Sequence, residues 1–333
     1  MKVLILRFSS IGDIVLTTPV IRAVHQQAGA EVHFLTKRSF AGVLKHNPYL
    51  TKVWTIDKEI NEISGDLKAE SFDAIIDLHN NLRTRRLGLH LRKSKLYRFN
   101  KLNGKKWLLT NLKINRLPKV HIVDRYLAAA AALGVKNDGQ GLDYFLGPED
   151  IVVPEQFGLP REYLAFVIGA AHATKRLPED QILAICQACP YPIILLGGPG
   201  EKEIGERLTA AAGAGVYNAC GSFKLGQSAS LVQQAKVVLT HDTGLMHIAA
   251  AFHKPILSVW GNTVPAFGMY PYLPGQEEME SARRLEIEGL SCRPCSKIGH
   301  ANCPKGHFRC MRDLNHVIVV AEIQTVWSSL SGD

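Results

Sequence analysis

The chain opens on Val3-Leu4-Ile5-Leu6, a short unbroken apolar run closed by Arg7. Such a run predicts a strand over 2–8 covered on both faces, as in a parallel sheet. A polar turn follows, Ser9-Ser10-Ile11-Gly12-Asp13, and then a helix over 14–27 with Pro19 in its early part. Further strands are predicted over 31–36, 53–56 and 74–78, and an alanine-rich helix over 123–133 that Gly134 ends. Between Gly147 and Pro160 three prolines make a loop-like linker. The pattern then restarts. Strands are predicted over 163–168, 192–196, 237–239 and 255–260, and helices over 179–189, 201–212, 225–234 and 245–252, with a last helix over 315–330.

Strands alternating with helices imply βαβ units and parallel sheets. Two such halves on a chain of 333 residues predict two doubly wound α/β domains, over 1–155 and 156–314. Residues 315–333 are expected to form a terminal helix packing back toward the first domain. Ligands of open α/β sheets bind beyond the carboxyl ends of the strands. That rule directs attention to Ser9–Asp13, His79–Arg83, Gly169–Lys175, Gly197–Glu201, Thr240–His247 and Gly261–Thr263.

Composition narrows the class. Hydrophobic content of 46% and charged content of 21% are those of a globular protein. No window of about 18 apolar residues occurs, and the opening run is too short for a signal-peptide core. The expected place is therefore the cytoplasm. The formal charge of +9 is unevenly spread: from Arg83 to Arg125 there are fourteen Lys or Arg and a single acid, Asp124. That run is either a solvated face or a patch for phosphates, nucleic acid or an anionic membrane surface. No nucleic-acid motif accompanies it, so a nucleic-acid partner is not expected.

Three constellations can carry chemistry. Asp13 opens a helix after the first strand, where it is either a helix cap or a general base. The segment lacks both the GxGxxG fingerprint and the Walker lysine. In Thr240-His241-Asp242-Thr243-Gly244-Leu245-Met246-His247, Asp242 or Thr243 can cap a helix whose first N–H groups suit a diphosphate, and Gly244 permits close approach. The bland alternative is a capped helix with a core histidine at 247. In Gly169-Ala170-Ala171-His172-Ala173-Thr174-Lys175-Arg176, a strand delivers two cations, and Lys175 can neutralise a leaving phosphate.

Together these segments resemble glycosyltransferase family 9, the ADP-heptose:lipopolysaccharide heptosyltransferases, over nearly the whole chain. The Ser9–Asp13 turn resembles the family's S-x-G-D segment, and His121-Ile122-Val123-Asp124-Arg125-Tyr126 its H-x-V-x-R-Y stretch. Gly197-Gly198-Pro199-Gly200-Glu201 resembles its glycine-rich turn, and Asp242–His247 its D-T-G-x-x-H signature. The resemblance implies a GT-B fold, two Rossmann-like domains facing across a cleft. It implies an inverting transfer of a heptose or related sugar from an ADP-sugar to the inner core of lipopolysaccharide, with no metal required. Asp13 would be the base. Lys175, Glu201, Asp242, Thr243, Gly244 and His247 would hold the donor. Ser10, Gly12, Arg83, Arg85, Arg86, Lys105, Lys106 and Arg125 would hold an anionic glycolipid acceptor, with the enzyme peripheral on the inner face of the cytoplasmic membrane. Ala170-Ala171 stand where family members often carry threonine or serine. An epimerase or hydrolase of the same fold is the alternative enzyme, and a non-catalytic anion or nucleic-acid binding protein the less favoured alternative class.

Four of the seven cysteines, Cys292, Cys295, Cys303 and Cys310, fall in one compact segment. Such a set can bind a structural zinc, stand as free or redox-active thiols, or pair as disulfides.

Overall fold

The computed structural model describes residues 1–275 and 282–330; positions 331–333 of the expected terminal segment lie outside the described residues. Two compact units result, the first made of 1–102 with 120–145 and the second of 103–119 with 146–333.

The first unit holds β1 (Lys2–Leu6), β2 (Glu31–Lys37), β3 (Lys52–Ile56), β4 (Ala74–Asp77) and β5 (Lys95–Arg98), all parallel, in the order β3-β2-β1-β4-β5. Val3 to Leu6 have no accessible surface, as expected for a central strand covered by helices on both faces. Leu4, Leu6, Leu35, Trp54, Ile56, Leu67, Ile75 and Leu87 share one core. β5 was not foreseen. Its Lys-Leu-Tyr-Arg sequence is charged and only partly buried, so an edge strand hid inside the basic run.

The single helix expected over 14–27 is two helices, Ile11–Val15 and Thr18–Ala28. Pro19 is the reason. Lacking an N–H, it fits only a first helical turn, and it stands in the first turn of the second helix. Gly29, at φ 57°, closes that helix. Arg22 on its buried face makes a fork to Asp138, Nε to Oδ2 at 2.7 Å and Nη2 to Oδ1 at 2.9 Å, and also pairs with Asp143. Its side chain is 1% exposed, so it is a buried cation matched by two carboxylates.

The second unit holds β6 (Leu164–Val167), β7 (Ile193–Leu196), β8 (Val216–Asn218), β9 (Val237–His241), β10 (Ile256–Trp260) and β11 (Arg283–Glu286). Their order, β11-β10-β9-β6-β7-β8, all parallel, is the doubly wound arrangement of dinucleotide-binding folds. In both sheets the winding reverses beside the unit's first strand, between β1 and β4 and between β6 and β9.

Two segments depart from the expected domain limits. The terminal helix, His316–Ser329, packs in the second unit's core through Val319, Val320, Ile323 and Trp327, with Trp327 stacked on Tyr191 at 4.1 Å. These four apolar positions are used here, while Val317 and Ile318 stay exposed. Residues 103–119 also belong to the second unit. Leu109 is buried, and the Lys113 ammonium donates to the carbonyls of Thr110, Cys292 and Pro294. The basic run is therefore divided, nine of its fourteen cations in the first unit and five in the second.

Arg22→Met should lower stability by about 3–5 kcal/mol, because it takes the cation from two partly buried carboxylates. Asp138 is held below its ordinary value: burial would raise it, and the Arg22 hydrogen bonds more than offset that. A depressed carboxylate stabilises above its unfolded pKa of about 3.9 and loses that contribution as pH falls through the lower native value. Urea midpoints should thus separate wild type and variant at neutral pH and converge toward acid; identical midpoints at neutral pH would contradict the assignment.

Candidate active site

In the first unit, β1 delivers Arg7 and β4 delivers Leu78 and His79 at the reversal point of the sheet. Arg7, 9% exposed, spends its donors on four groups. Nε donates to the Ser9 carbonyl at 2.8 Å, and Nη1 to the Leu78 carbonyl at 2.7 Å and the Tyr126 hydroxyl at 3.0 Å. Nη2 meets Asp13 Oδ1 at 2.7 Å. The other oxygen, Oδ2, accepts from the Ser10 hydroxyl at 2.9 Å and the Ser10 N–H at 3.3 Å.

Asp13 takes part in capping the short helix as the third residue of a capping box whose N-cap is Ser10. The carboxylate serves the start of the short helix, and it also lies in an ion pair with one-fifth of its side chain exposed. A carboxylate offers about four lone-pair positions, and three are engaged, so one can still accept a proton or a hydroxyl. Burial alone would raise the Asp13 pKa; Arg7 and Ser10 more than offset it and hold the group below its ordinary value. Next to it, burial and then repulsion from Arg7 and Lys101 push His79 down to about 3, so this imidazole is neutral. His79 also packs its ring against Phe8 at 4.9 Å.

The remaining first-unit candidates are less uniform. Gly12 is buried in the short helix. Arg83, Arg85 and Arg86 are exposed on the helix Leu82–His90, which Asn81 caps by accepting from the Thr84 N–H. Arg125 is tied inward, donating to the Asn100 carbonyl at 2.7 Å with its guanidinium over the Phe99 ring. The motif His121–Tyr126 proves structural in its details: His121 caps the helix Ile122–Ala130 through Nδ1, and Tyr126 buttresses Arg7.

In the second unit, the loops after β6 and β9 flank the reversal point. Lys175 and Asp242 meet there, Nζ to Oδ2 at 2.6 Å, with side chains 16% and 12% exposed. Thr263, after β10, donates to the same Asp242 oxygen at 2.9 Å. An ammonium has three donors, so Lys175 keeps two beyond this pair. One strand over, Glu201 accepts from Arg176 at 3.1 Å and from the Gly198 N–H at 2.9 Å. Glycines make room for it: a Cβ on Gly169 would lie 3.0 Å from Glu201 Oε2, and one on Gly197 2.8 Å from Glu201 Cβ. This glycine-rich turn serves a carboxylate's packing.

Asp242 or Thr243 was expected to cap the next helix. Thr243 takes the N-cap position of Gly244–Ala251 in extended conformation, but its side chain makes no capping hydrogen bond. Asp242 is instead committed to Lys175 and Thr263. His247 is buried within that helix. Sequence reasoning missed His241 and Asn262. His241 is buried, accepts from the Leu177 N–H through Nε2 at 3.0 Å, and is pushed by burial down to about 3. The Asn262 amide is 1% exposed, and neither of its polar atoms finds a hydrogen-bond partner.

Lys105 and Lys106 lie on the helix Asn103–Trp107 of the second unit, with Lys106 Nζ 5.9 Å from the Phe267 ring. The basic residues predicted to act together are thus distributed over separate elements.

All seven cysteines are free. Cys295 Sγ donates to the Cys292 carbonyl at 3.2 Å. Burial pushes Cys295 up to about 11 and Cys310 up to about 12, so both are thiols at neutral pH. Among the described residues, no three of the four clustered sulfurs lie within 4.8 Å of one another. Four zinc-bound sulfurs at about 2.3 Å from the ion would stand closer than that. None of the four is in a disulfide, and the peptide between Cys295 and Cys303 is tied to Thr174 through His300.

Two doubly wound units, with polar sites at both reversal points, are now set beside known proteins. Residues 60–289 match the model of glycosyltransferase family 9 (heptosyltransferase). The chain belongs to that family. It is similar to lipopolysaccharide heptosyltransferase 1 of Pseudomonas aeruginosa, 25% identical over 332 residues that cover 89% of this chain and 86% of that one. The solved structure of a family 9 glycosyl transferase from Veillonella parvula superposes with a TM-score of 0.78 at 20% identity, over 98% of this chain and 97% of that one. The structure of the E. coli ADP-heptose lps heptosyltransferase II gives 0.74 at 19% identity, over 100% of each chain. The fold is GT-B, and the protein is a glycosyltransferase. Among the described residues no helix is long and apolar enough to cross a membrane.

Removing the Arg7 charge leaves burial as the dominant influence on Asp13. Arg7→Met should therefore raise the Asp13 carboxyl from its depressed value, read by carboxyl carbon NMR titration. An unchanged titration would show that Arg7 does not set the charge of Asp13.

Proposed function

We propose that this family 9 glycosyltransferase moves a heptose, or a closely related sugar, from an ADP-sugar onto the inner core of lipopolysaccharide with inversion at the anomeric carbon. The observation that carries the reading is Asp13, a partly exposed carboxylate kept ionised by Arg7 at the first unit's reversal point. An inverting transfer needs one base. The acceptor oxygen attacks the anomeric carbon as the bond to the diphosphate breaks, and the acceptor proton passes to Asp13. The ADP-sugar and the lipopolysaccharide acceptor come from the names of the relatives.

The leaving diphosphate gathers negative charge, which the second unit is built to receive. Lys175 retains two donors, and the helix Gly244–Ala251 starts with N–H groups that its N-cap side chain, Thr243, does not bond. Thr263 and Asp242 orient Lys175. His247 and Gly244 line that helix start, and Glu201 is the candidate for the nucleoside side. With Ala170-Ala171 in place of hydroxyl side chains, the phosphates rely more heavily on Lys175 and backbone N–H groups. Ser10 and the exposed Arg83, Arg85 and Arg86 are the acceptor side. No step in this scheme calls on a metal. Proton removal by one carboxylate and charge neutralisation by a lysine and a helix start favour transfer over epimerisation.

Incubating the protein with ADP-heptose and other sugar nucleotides plus truncated core glycolipids, then reading product masses, tests the reaction. Asp13→Asn should lower kcat by about 10²-fold or more while leaving nucleotide affinity within about twofold; near-wild-type turnover would reject the base. Lys175→Ala should weaken donor binding and slow transfer together, and unchanged kinetics would exclude its phosphate role.

A further inference from the structure

We propose that residues 103–116 of the second unit are an interfacial anchor that inserts apolar side chains into an anionic lipid bilayer. The proposal rests on the reading of the acceptor as a membrane-held glycolipid, and it names the surface that meets the membrane. Here a helical run, Asn103–Trp107 continued by a π-turn over Leu108–Leu112, leaves large apolar side chains outside: Trp107 is 57% exposed, Leu112 53% and Ile114 45%. Folded proteins rarely expose so many large apolar groups in eight residues without a partner for them.

Charge identifies the occupant. Residues 103–119 hold Lys105, Lys106, Lys113, Arg116 and Lys119 and no acid. Lys105, Arg116 and Lys119 are exposed. Tryptophan and aliphatic side chains interleaved with lysines are the composition of segments lying in the headgroup region, where the apolar parts insert and the cations meet anionic lipid. A protein partner would need a compensating acidic face. The backbone is held in place for this. Leu109 is buried, and Lys113 ties the end of the run to the carbonyls of Thr110, Cys292 and Pro294. Lys113 is thus structural, while its neighbours are left for the surface.

The chain carries its own probe. Of its four tryptophans, Trp54, Trp260 and Trp327 are buried, with exposures of 9%, 1% and 6%, and Trp107 alone is open to solvent. A shift of tryptophan emission on adding vesicles therefore reports on Trp107.

The experiment uses the full chain with vesicles of phosphatidylcholine alone or with about 30% phosphatidylglycerol, read by co-sedimentation and emission. Binding to the anionic vesicles should be about tenfold or more tighter, since each cation near such a surface contributes severalfold, with a blue shift and loss in high salt. The triple variant W107A/L112A/I114A should lose about tenfold in affinity and the shift, keep its thermal melt, and keep transfer to a deacylated, water-soluble acceptor. Equal binding to both vesicle types, wild-type binding by the variant, or a wild-type dimer that the variant dissolves would each overturn the anchor. Transfer to the soluble acceptor without vesicle binding would remove the anchor and leave the transferase. Vesicle binding without transfer from any sugar nucleotide would do the reverse.

Discussion

One buried guanidinium organises the amino-terminal site. Arg7 leaves β1 at the point where the sheet reverses, and its donors reach the end of β4, the helix carrying Tyr126, the Ser9 carbonyl and the Asp13 carboxylate. A buried cation without partners would cost several kcal/mol, so these contacts are a condition of the fold as well as of the site. The same contacts decide the chemistry. Arg7, together with the Ser10 hydrogen bonds, keeps Asp13 charged in a partly dry place. The tyrosine is affected too: burial raises its pKa, so Tyr126 stays a neutral hydroxyl that accepts from Arg7.

The second unit solves a similar problem with a different pair. Its reversal point lies between β6 and β9, and the loops leaving those two strands bring Lys175 to Asp242. Adjacent strands that run into helices on opposite faces leave their loops splayed, and the polar groups collect in that crevice. Every charge there is matched, Lys175 by Asp242 and Arg176 by Glu201. In the proposed reaction a diphosphate would enter a site whose cations are already oriented, with much of the cost of ordering them met by the fold.

Much of this was legible in the sequence, for reasons that can be named. The central strands read clearly because Val3–Leu6 and Ile193–Leu196 are apolar on both faces. Edge strands did not, since Lys95–Arg98 and Arg283–Glu286 are mostly charged and look like loop. Pro19 was seen, but its consequence, a helix that stops and restarts, depends on a missing N–H that a periodicity count ignores. The positions after the strands were found by the sheet rule, so Asp13, Lys175 and Asp242 were named at once. Their partners were not: Arg7 looked like the end of a strand, and Asn262 and Thr263 were seen only as positions after a strand, with no role. The basic run was read as one patch because it is continuous in sequence, whereas Leu109 and Lys113 bind part of it to the second unit. A pairing between distant positions leaves no mark on local composition.

The central claim is that Arg7 keeps Asp13 ionised so that the carboxylate can take the acceptor proton. The dependence of kcat/KM on pH tests it most directly. A base whose pKa is depressed stays charged throughout the range of about pH 5 to 8, so the account predicts no loss of rate toward the acid end of that range. An acid limb near pH 6 in the wild-type enzyme, persisting when donor and acceptor are varied, would mean that the proton goes to a group other than Asp13.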